Sequence, residues 1–450
     1  VAALDYLCLG GTEIANSART TAYARNGLKP HTMSVGDCGC PDLAQVLGDP
    51  EYRRPELDTE SPPAWVDPAV PESWEFAGLL ITSIEGLDAA PASREVSDRI
   101  GDGAVIGRRR YGPRTITVTG VLLGSSCCGI DYGMRWLAAA LRGSMNCGPG
   151  GGCRGDDLVY LTCCPTICED APGFTSYADC AEPYWRTLRE VALVSGPTKT
   201  GSVGGACSCC QTCPAAEVEF TLVAGRPHAL REPVTVTEPG ETWTLDDAEI
   251  GCVEWVTDPS CTDTSGGGCG PSAPSCLDTT LAEMGCAPTL PPPLPVVHNP
   301  CACEPLTRRR HCVEIPSAVL TPIWSDVVAD LEIYAGGQTL RSVRVRFYPN
   351  PLGLPSVDDL DECGYCAELN ITAIPAYSTL RVDGTRRQVT VTCPGSDEVP
   401  AAAAVSGDNG GPYTWPVLDC GVPYIACVEA DAATIAADAE ITVRVISREV

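Results

Sequence analysis

The chain has 450 residues, 44% of them apolar, and its 30 basic and 58 acidic side chains give a formal charge of −28. That apolar share can fill a core and excludes disorder throughout, while the charge excludes sequence-independent binding to phosphate backbones. No run approaches the ~18 apolar residues of a membrane-crossing helix, and Val1 to Asp5 have neither the basic nor the apolar region of a signal peptide, so neither membrane insertion nor signal-directed export is expected.

In chain order, the first strong element is the strand-length apolar run Gly78 to Ile84. Thr115 to Thr119 follows with strict alternation, Ile116 and Val118 sharing one face. Asp131 is placed to cap a helix in which Met134, Leu137, Ala138 and Leu141 share a face and Gly143 marks the end. One short helix after strands predicts a sheet with a helix packed on it. Thr187 to Val194 and Glu217 to Val223 read as two further strands, the second with Val218, Phe220 and Leu222 on one face. The first domain is drawn at 1–234, with a cysteine-rich insertion at about 143–213.

Residues 235–306 are rich in proline and cysteine, Pro291-Pro292-Pro293 among them, and read as a cross-linked linker or insertion with a little strand between Glu241 and Val256. From 307 to 450 the pattern is antiparallel β. Leu331 to Tyr334 and Val343 to Phe347 flank Gly336-Gly337 and predict a hairpin. Thr379 to Val382 and Gln388 to Val391 flank Asp383-Gly384 and predict another. Glu368 to Ile374 and Ile441 to Ile446 complete a set of short strands at the spacing of a sandwich.

The chemistry of the chain is concentrated in its 28 cysteines. The four histidines, His31, His228, His298 and His311, fall in no zinc-protease spacing, and there is no nucleophile elbow, P-loop or dinucleotide fingerprint. No catalytic, cofactor or metal residue is assigned. Cys207, Cys209, Cys210 and Cys213 are too crowded to span a tetrahedron alone. Pairing with Cys147, Cys153, Cys163, Cys164 or Cys168 is freer. Those residues, with Cys301, Cys303, Cys312, Cys363, Cys366, Cys420 and Cys427, are the disulfide candidates, zinc being the other reading of the clusters. Arg108-Arg109-Arg110 and Arg308-Arg309-Arg310 are basic runs in an acidic chain, read as solvated loops or as pairing with acidic faces of neighbouring subunits.

Several stretches together carry a resemblance. Leu7 to Tyr23, with Gly10-Gly11 as a turn, leads to Pro63-Ala64-Trp65-Val66-Asp67, Pro71-Glu72-Ser73 and Phe76-Ala77-Gly78. Arg109-Arg110-Tyr111-Gly112-Pro113-Arg114 then runs into Thr115 to Gly120 and the segment at Trp136-Leu137, and Glu219 to Pro227 closes the domain. This succession resembles minor tail proteins of long-tailed actinobacterial phages, and in architecture the distal tail protein. Ser378 to Gly384, Trp415 to Leu418 and Cys420-Gly421 resemble its outer, galectin-like domain.

The resemblance implies a mainly β chain: an N-terminal β-sandwich belt domain with one short packed helix, and a C-terminal galectin-like antiparallel sandwich. It implies a structural, non-enzymatic virion protein at the tail tip, assembled in the host cytoplasm. There it would form a homo-oligomeric, six-fold ring between the tail tube protein and the tip hub with other minor tail proteins. DNA would pass through without specific binding, and no stable membrane insertion is implied. Arg108, Arg109, Arg110 and Leu137 are the candidate subunit contacts. The alternative is a cysteine-rich extracellular adhesion or receptor-binding protein.

Overall fold

The structure, a computed structural model, describes residues 5–27, 40, 42–48, 52, 62–88, 90–99, 101–143, 155–164, 173, 175–203, 215–237, 248–256, 301–321, 325–354, 364–407, 410–419 and 421–450. The chain divides into two units, Val1–Glu232 with Arg448–Val450, and Pro233–Ser447. It is mainly β, built of antiparallel sheets with few helices, as the strand patterns predict.

The first unit comprises β1 (Tyr6–Leu9), β2 (Thr12–Asn16), α1 (Ser17–Gly27), α2 (Leu43–Val46), β3 (Phe76–Glu85), β4 (Ala92–Ser93), β5 (Val96–Asp98), β6 (Ala104–Ile106), β7 (Arg110–Tyr111), β8 (Arg114–Gly124), α3 (Cys127–Ala140), β9 (Asp156–Leu161), α4 (Tyr177–Ala181), β10 (Trp185–Val203), β11 (Ala215–Ala224) and β12 (Ala229–Leu230). One sheet runs β3-β8-β11-β10. The start of β10 turns away to pair with β9, which continues through β1 to β2. Alternation explains which face is buried. Ile116, Val118, Phe220 and Leu222 face inward, against Leu7, Ile14, Leu158 and Leu188.

Helix α3 packs on this core as predicted, with Leu137 and Leu141 buried. Its start differs from the expectation. Ser126, not Asp131, is the N-cap, its hydroxyl accepting from the Gly129 N–H at 3.1 Å. The early turn fits because Gly129 lies against the Glu75 backbone, where a Cβ would come within 2.7 Å of the carbonyl oxygen, and one turn on Gly133 lies against Phe76, where a Cβ would come within 2.4 Å of the ring. Gly143 ends the segment at φ +63°, which favours glycine. The expectation of a single packed helix is also corrected. Helix α1 follows β2 directly, capped by Asn16, whose Oδ1 accepts from the Arg19 N–H at 3.0 Å. Its polar sequence carries no apolar stripe long enough to announce it.

The second unit comprises β13 (Val234–Thr235), β14 (Ala248–Val256), β15 (Cys301–Ile315), β16 (Asp326–Tyr334), β17 (Leu340–Pro349), β18 (Ala367–Ile374), β19 (Thr379–Asp383), β20 (Gln388–Thr392), β21 (Val399–Pro400), β22 (Val405–Ser406), β23 (Tyr424–Asp431) and most of β24 (Glu440–Glu449). One sheet runs β14-β15-β23-β17-β18-β22; the other runs β24-β16-β19-β20-β21, with β13 on β24. Between them Ile333, Leu380 and Val443 meet Val345, Leu369 and Val428 in one core. This is a sandwich.

Two turn expectations fare differently. The strands around Asp383-Gly384 pair, but Asp383 opposes Gln388, so four residues make the turn rather than two. Asp383 Oδ1 holds it, accepting from the Thr385 and Arg386 N–H groups at 2.9 and 2.8 Å. The strands flanking Gly336-Gly337 do not pair at all. β16 joins β19 and β24, whereas β17 joins β18 and β23 in the opposite sheet. Each strand has one strongly apolar face, and crossing between the sheets buries both faces in the same core.

Candidate functional site

The sheet β3-β8-β11-β10 has one face on the core and one open. Two outward rows are set by register: Ser83, Thr119, Glu219 and Thr198 lie in line, as do Leu80, Val121, Glu217 and Gly201. With Glu85 opposite Thr117, the charged residues on these rows are all carboxylates, and Glu85, Glu217 and Glu219 are exposed. The hydroxyl-rich alternation that makes β8 a strand therefore also makes this face polar and acidic.

Among the described residues, both edges of the sheet are unpaired for part of their length. β3 pairs only with β8 among the described residues. Helix α1 covers the edge near Leu79, where the Thr20 hydroxyl reaches the Leu79 carbonyl at 3.5 Å. Beyond that point, at Thr82 and Ser83, the strand is exposed. At the other edge, β10 past Val191 pairs with β11 alone among the described residues, and Val194 is 65% exposed. Unpaired backbone donors and acceptors at such edges are templates for a further strand.

Between β3 and β8 the chain leaves the core as a two-stranded ribbon. Ala92 and Ser93 pair with Tyr111 and Arg110, and Val96 to Asp98 pair with Ile106 to Ala104. Arg108 and Arg109, two of the expected contact residues, are exposed between β6 and β7, and Arg110 lies in β7. The Arg109 guanidinium stacks over Tyr111 at 4.7 Å from the ring centre. Leu137 is a correction: it is 0% exposed inside the core of its own unit and has no surface to offer a neighbour.

Two buried charge networks set the electrostatics. In the first unit the Glu449 carboxylate accepts from both Arg186 Nε and Nη2, at 2.9 and 2.8 Å, and from Arg231 Nε at 3.2 Å. Buried Arg114 donates to the carbonyls of Pro227, Leu87 and Glu449, and burial pushes its pKa down. Burial pushes the neighbouring Tyr160 hydroxyl up to about 12. In the second unit Arg310 Nε and Arg344 Nε each donate to Glu429 at 2.9 Å, and Arg308 lies 3.7 Å away. The run Arg308-Arg309-Arg310 is thus part of strand β15, with Arg310 paired inside its own unit, rather than a solvated loop. Sequence reasoning missed both networks because their partners are 263 and 119 residues apart.

The cysteines divide. Cys164 bonds to Cys40, which the sequence did not single out, and Cys312 bonds to Cys427 across paired strands. Cys180 is also disulfide-bonded. Cys163 and Cys366 carry free, exposed thiols, contrary to expectation. Cys163 adjoins a bonded residue whose side chain is already committed. The backbone at Cys301 and Cys303 lies in β15. Cys147, Cys153, Cys168, Cys207, Cys209, Cys210, Cys213, Cys363 and Cys420 lie outside the described residues. Among those described, no group of three or more His, Cys, Asp or Glu could hold a metal ion, and no helix is long and apolar enough to cross a membrane. His228 stands edge-on to Tyr111 and His311 is buried, while His31 and His298 lie outside the described residues.

No family model and no curated protein matches this chain. Among solved structures it aligns with the Dit protein of phage SPP1, described as a paradigm of the hub adsorption apparatus in phages infecting Gram-positive hosts. The identity is 10% and the TM-score 0.36, over 84% of this chain and 94% of that one. It also aligns with a chain of the phage p2 baseplate in its activated conformation, with strontium at 11% identity and TM-score 0.35, over 82% and 90% of the two chains. The calcium form aligns at 11% and 0.33, over 79% and 91%.

Proposed function

We propose that this chain is a structural, non-enzymatic component of the distal end of a phage tail. It repeats around the tail axis as a ring, joins the tail tube to the tip complex, and lets DNA pass. The observation that carries this reading is the β3-β8-β11-β10 sheet, with its two partly open edges and its acidic outer face. Its edges belong to different strands, so pairing one with the other on a neighbouring copy is heterologous. Such contacts close into rings when the rotation permits. A ring closed in this way can turn the outer face inward, where Glu85, Glu217 and Glu219 would repel a passing polyanion rather than retain it. The succession of segments that resembles minor tail proteins supports the same location.

The test is made on intact particles. Antibody against the full chain should label the tail tip, and the copy number per tail should be a closed multiple, six by the resemblance. Label on the capsid or along the tube, or one copy per tail, would sink the proposal.

A further inference from the structure

The ribbon between β3 and β8 stands clear of the first core. Residues 91–106 are exposed wherever they are described, and Val96, Val105 and Ile106 are 63%, 51% and 64% exposed. Val96 and Ile106 are direct cross-strand partners, so they form one apolar step on one face. A two-stranded ribbon is marginal by itself in water and needs a surface to lie on. Its charge is also anomalous: Arg94, Arg99, Arg108, Arg109 and Arg110 stand against Glu95, Asp98 and Asp102, a local balance of +2 in a chain of −28.

We infer that this ribbon docks on a second copy of the same chain. Charge complementarity favours this partner. A basic arm with an apolar step along its length is drawn to an acidic protein surface, and the body of this chain is such a surface. Nucleic acid fits poorly, because three carboxylates interrupt the arginines and the whole chain repels phosphate. The inference rests on the ring reading in one respect. If the open face of β11 turns to the lumen, the receiving carboxylates are those on the helix side, where Glu72 and Asp131 are exposed. The contact is then heterologous, arm to body, and passes from copy to copy around the axis.

The test replaces Ile106 with the photo-crosslinking residue benzoylphenylalanine in the full chain, using a mixture of ordinary and 15N-labelled protein. Irradiation should give mixed-isotope dimers whose cross-linked peptides come from the segments around Glu72 and Asp131. No mixed dimer at roughly 100 µM, far above the dissociation constant of a standard interface, would overturn the inference. Replacing Arg108, Arg109 and Arg110 together by Glu should lower dimer yield at least about tenfold, with unchanged thermal melting because the ribbon lies outside the core. An unchanged yield overturns the electrostatic argument. Should that variant fail to fold, the cross-link map of the Ile106 variant decides alone. Tail-tip labelling without any Ile106 cross-link between copies would reject the ribbon assignment and leave the ring reading standing. Mixed dimers without tip labelling would do the reverse.

Discussion

Glu429 shows how one residue can govern the response of a unit to acid. Burial opposes its ionisation, but the Arg344 and Arg310 guanidiniums outweigh that and hold its carboxyl below the ordinary 4.5. The native state therefore binds this proton less tightly than the unfolded chain does. The stability it contributes is present above pH 4.5 and is lost as pH falls through the depressed folded value. Glu429→Gln should cost about 3 kcal/mol at neutral pH, because Arg310 and Arg344 lose their counter-charge. The gap to the parent chain should narrow below pH 4.5 in paired thermal melts. A gap that stays constant with pH would show that Glu429 does not titrate in this way. Asp330 acts in the opposite sense. Burial raises its pKa above 3.8, so its contribution is present below that value and lost as pH rises through the folded one. Comparison with the Glu429 variant removes this background.

Among the elements, α3 and the disulfides carry separable loads. Leu137 lies wholly inside the first core. Leu137→Asp should bury a lone carboxylate and abolish cooperative unfolding of that unit, whereas Leu137→Ala should cost about 2–5 kcal/mol and still fold. Near-native melting of the Asp variant would contradict the packing of α3. The Cys312–Cys427 bridge joins strands already paired in register, 115 residues apart in sequence. A Cys312→Ser, Cys427→Ser double variant should lose about 2–5 kcal/mol in the second unit. The same bridge should be absent from mass maps of chain kept reduced during synthesis, and present once the protein is exposed to oxidant. Between β16 and β17 the chain crosses from one sheet to the other. A Gly-Gly between two alternating strands is compatible with a hairpin and with a crossing between sheets, and core filling selects the crossing.

At the scale of the molecule, the chain leaves the first unit after Glu232 and returns to it with Arg448. Glu449 pairs with Ala229 and carries the ion pairs to Arg186 and Arg231. Glu449→Ala should therefore destabilise the first unit, by about 3 kcal/mol, although the residue lies far along the sequence from the rest of that unit. Hydrogen exchange should show faster opening of β9 and β10 while the second core keeps its protection. Equal loss in both units would mean that the return strand serves both cores.

The sequence alone determined some of the strands and the faces they bury, because alternation in segments such as Thr115 to Thr119 and Glu217 to Val223 is a local property with one apolar outcome; β9 and β23, inside the two sheets, were not read from it. It also determined the acidic balance, the position of Leu137 on an apolar helix face, and the turn at Gly143. The tertiary structure decided what depends on distant partners. Arg186 and Glu449, Arg310 and Glu429, and Cys40 and Cys164 have no local signal, since each pair is joined only when separate strands or loops arrive side by side. The start of α3 was decided by Ser126 and by the fit of Gly129 against the Glu75 backbone, contacts that no helical periodicity encodes. The open sheet edges and the exposed ribbon belong to the same class. Whether a strand has one neighbour or two is fixed by topology, and a sequence pattern reports only which face of a strand is apolar.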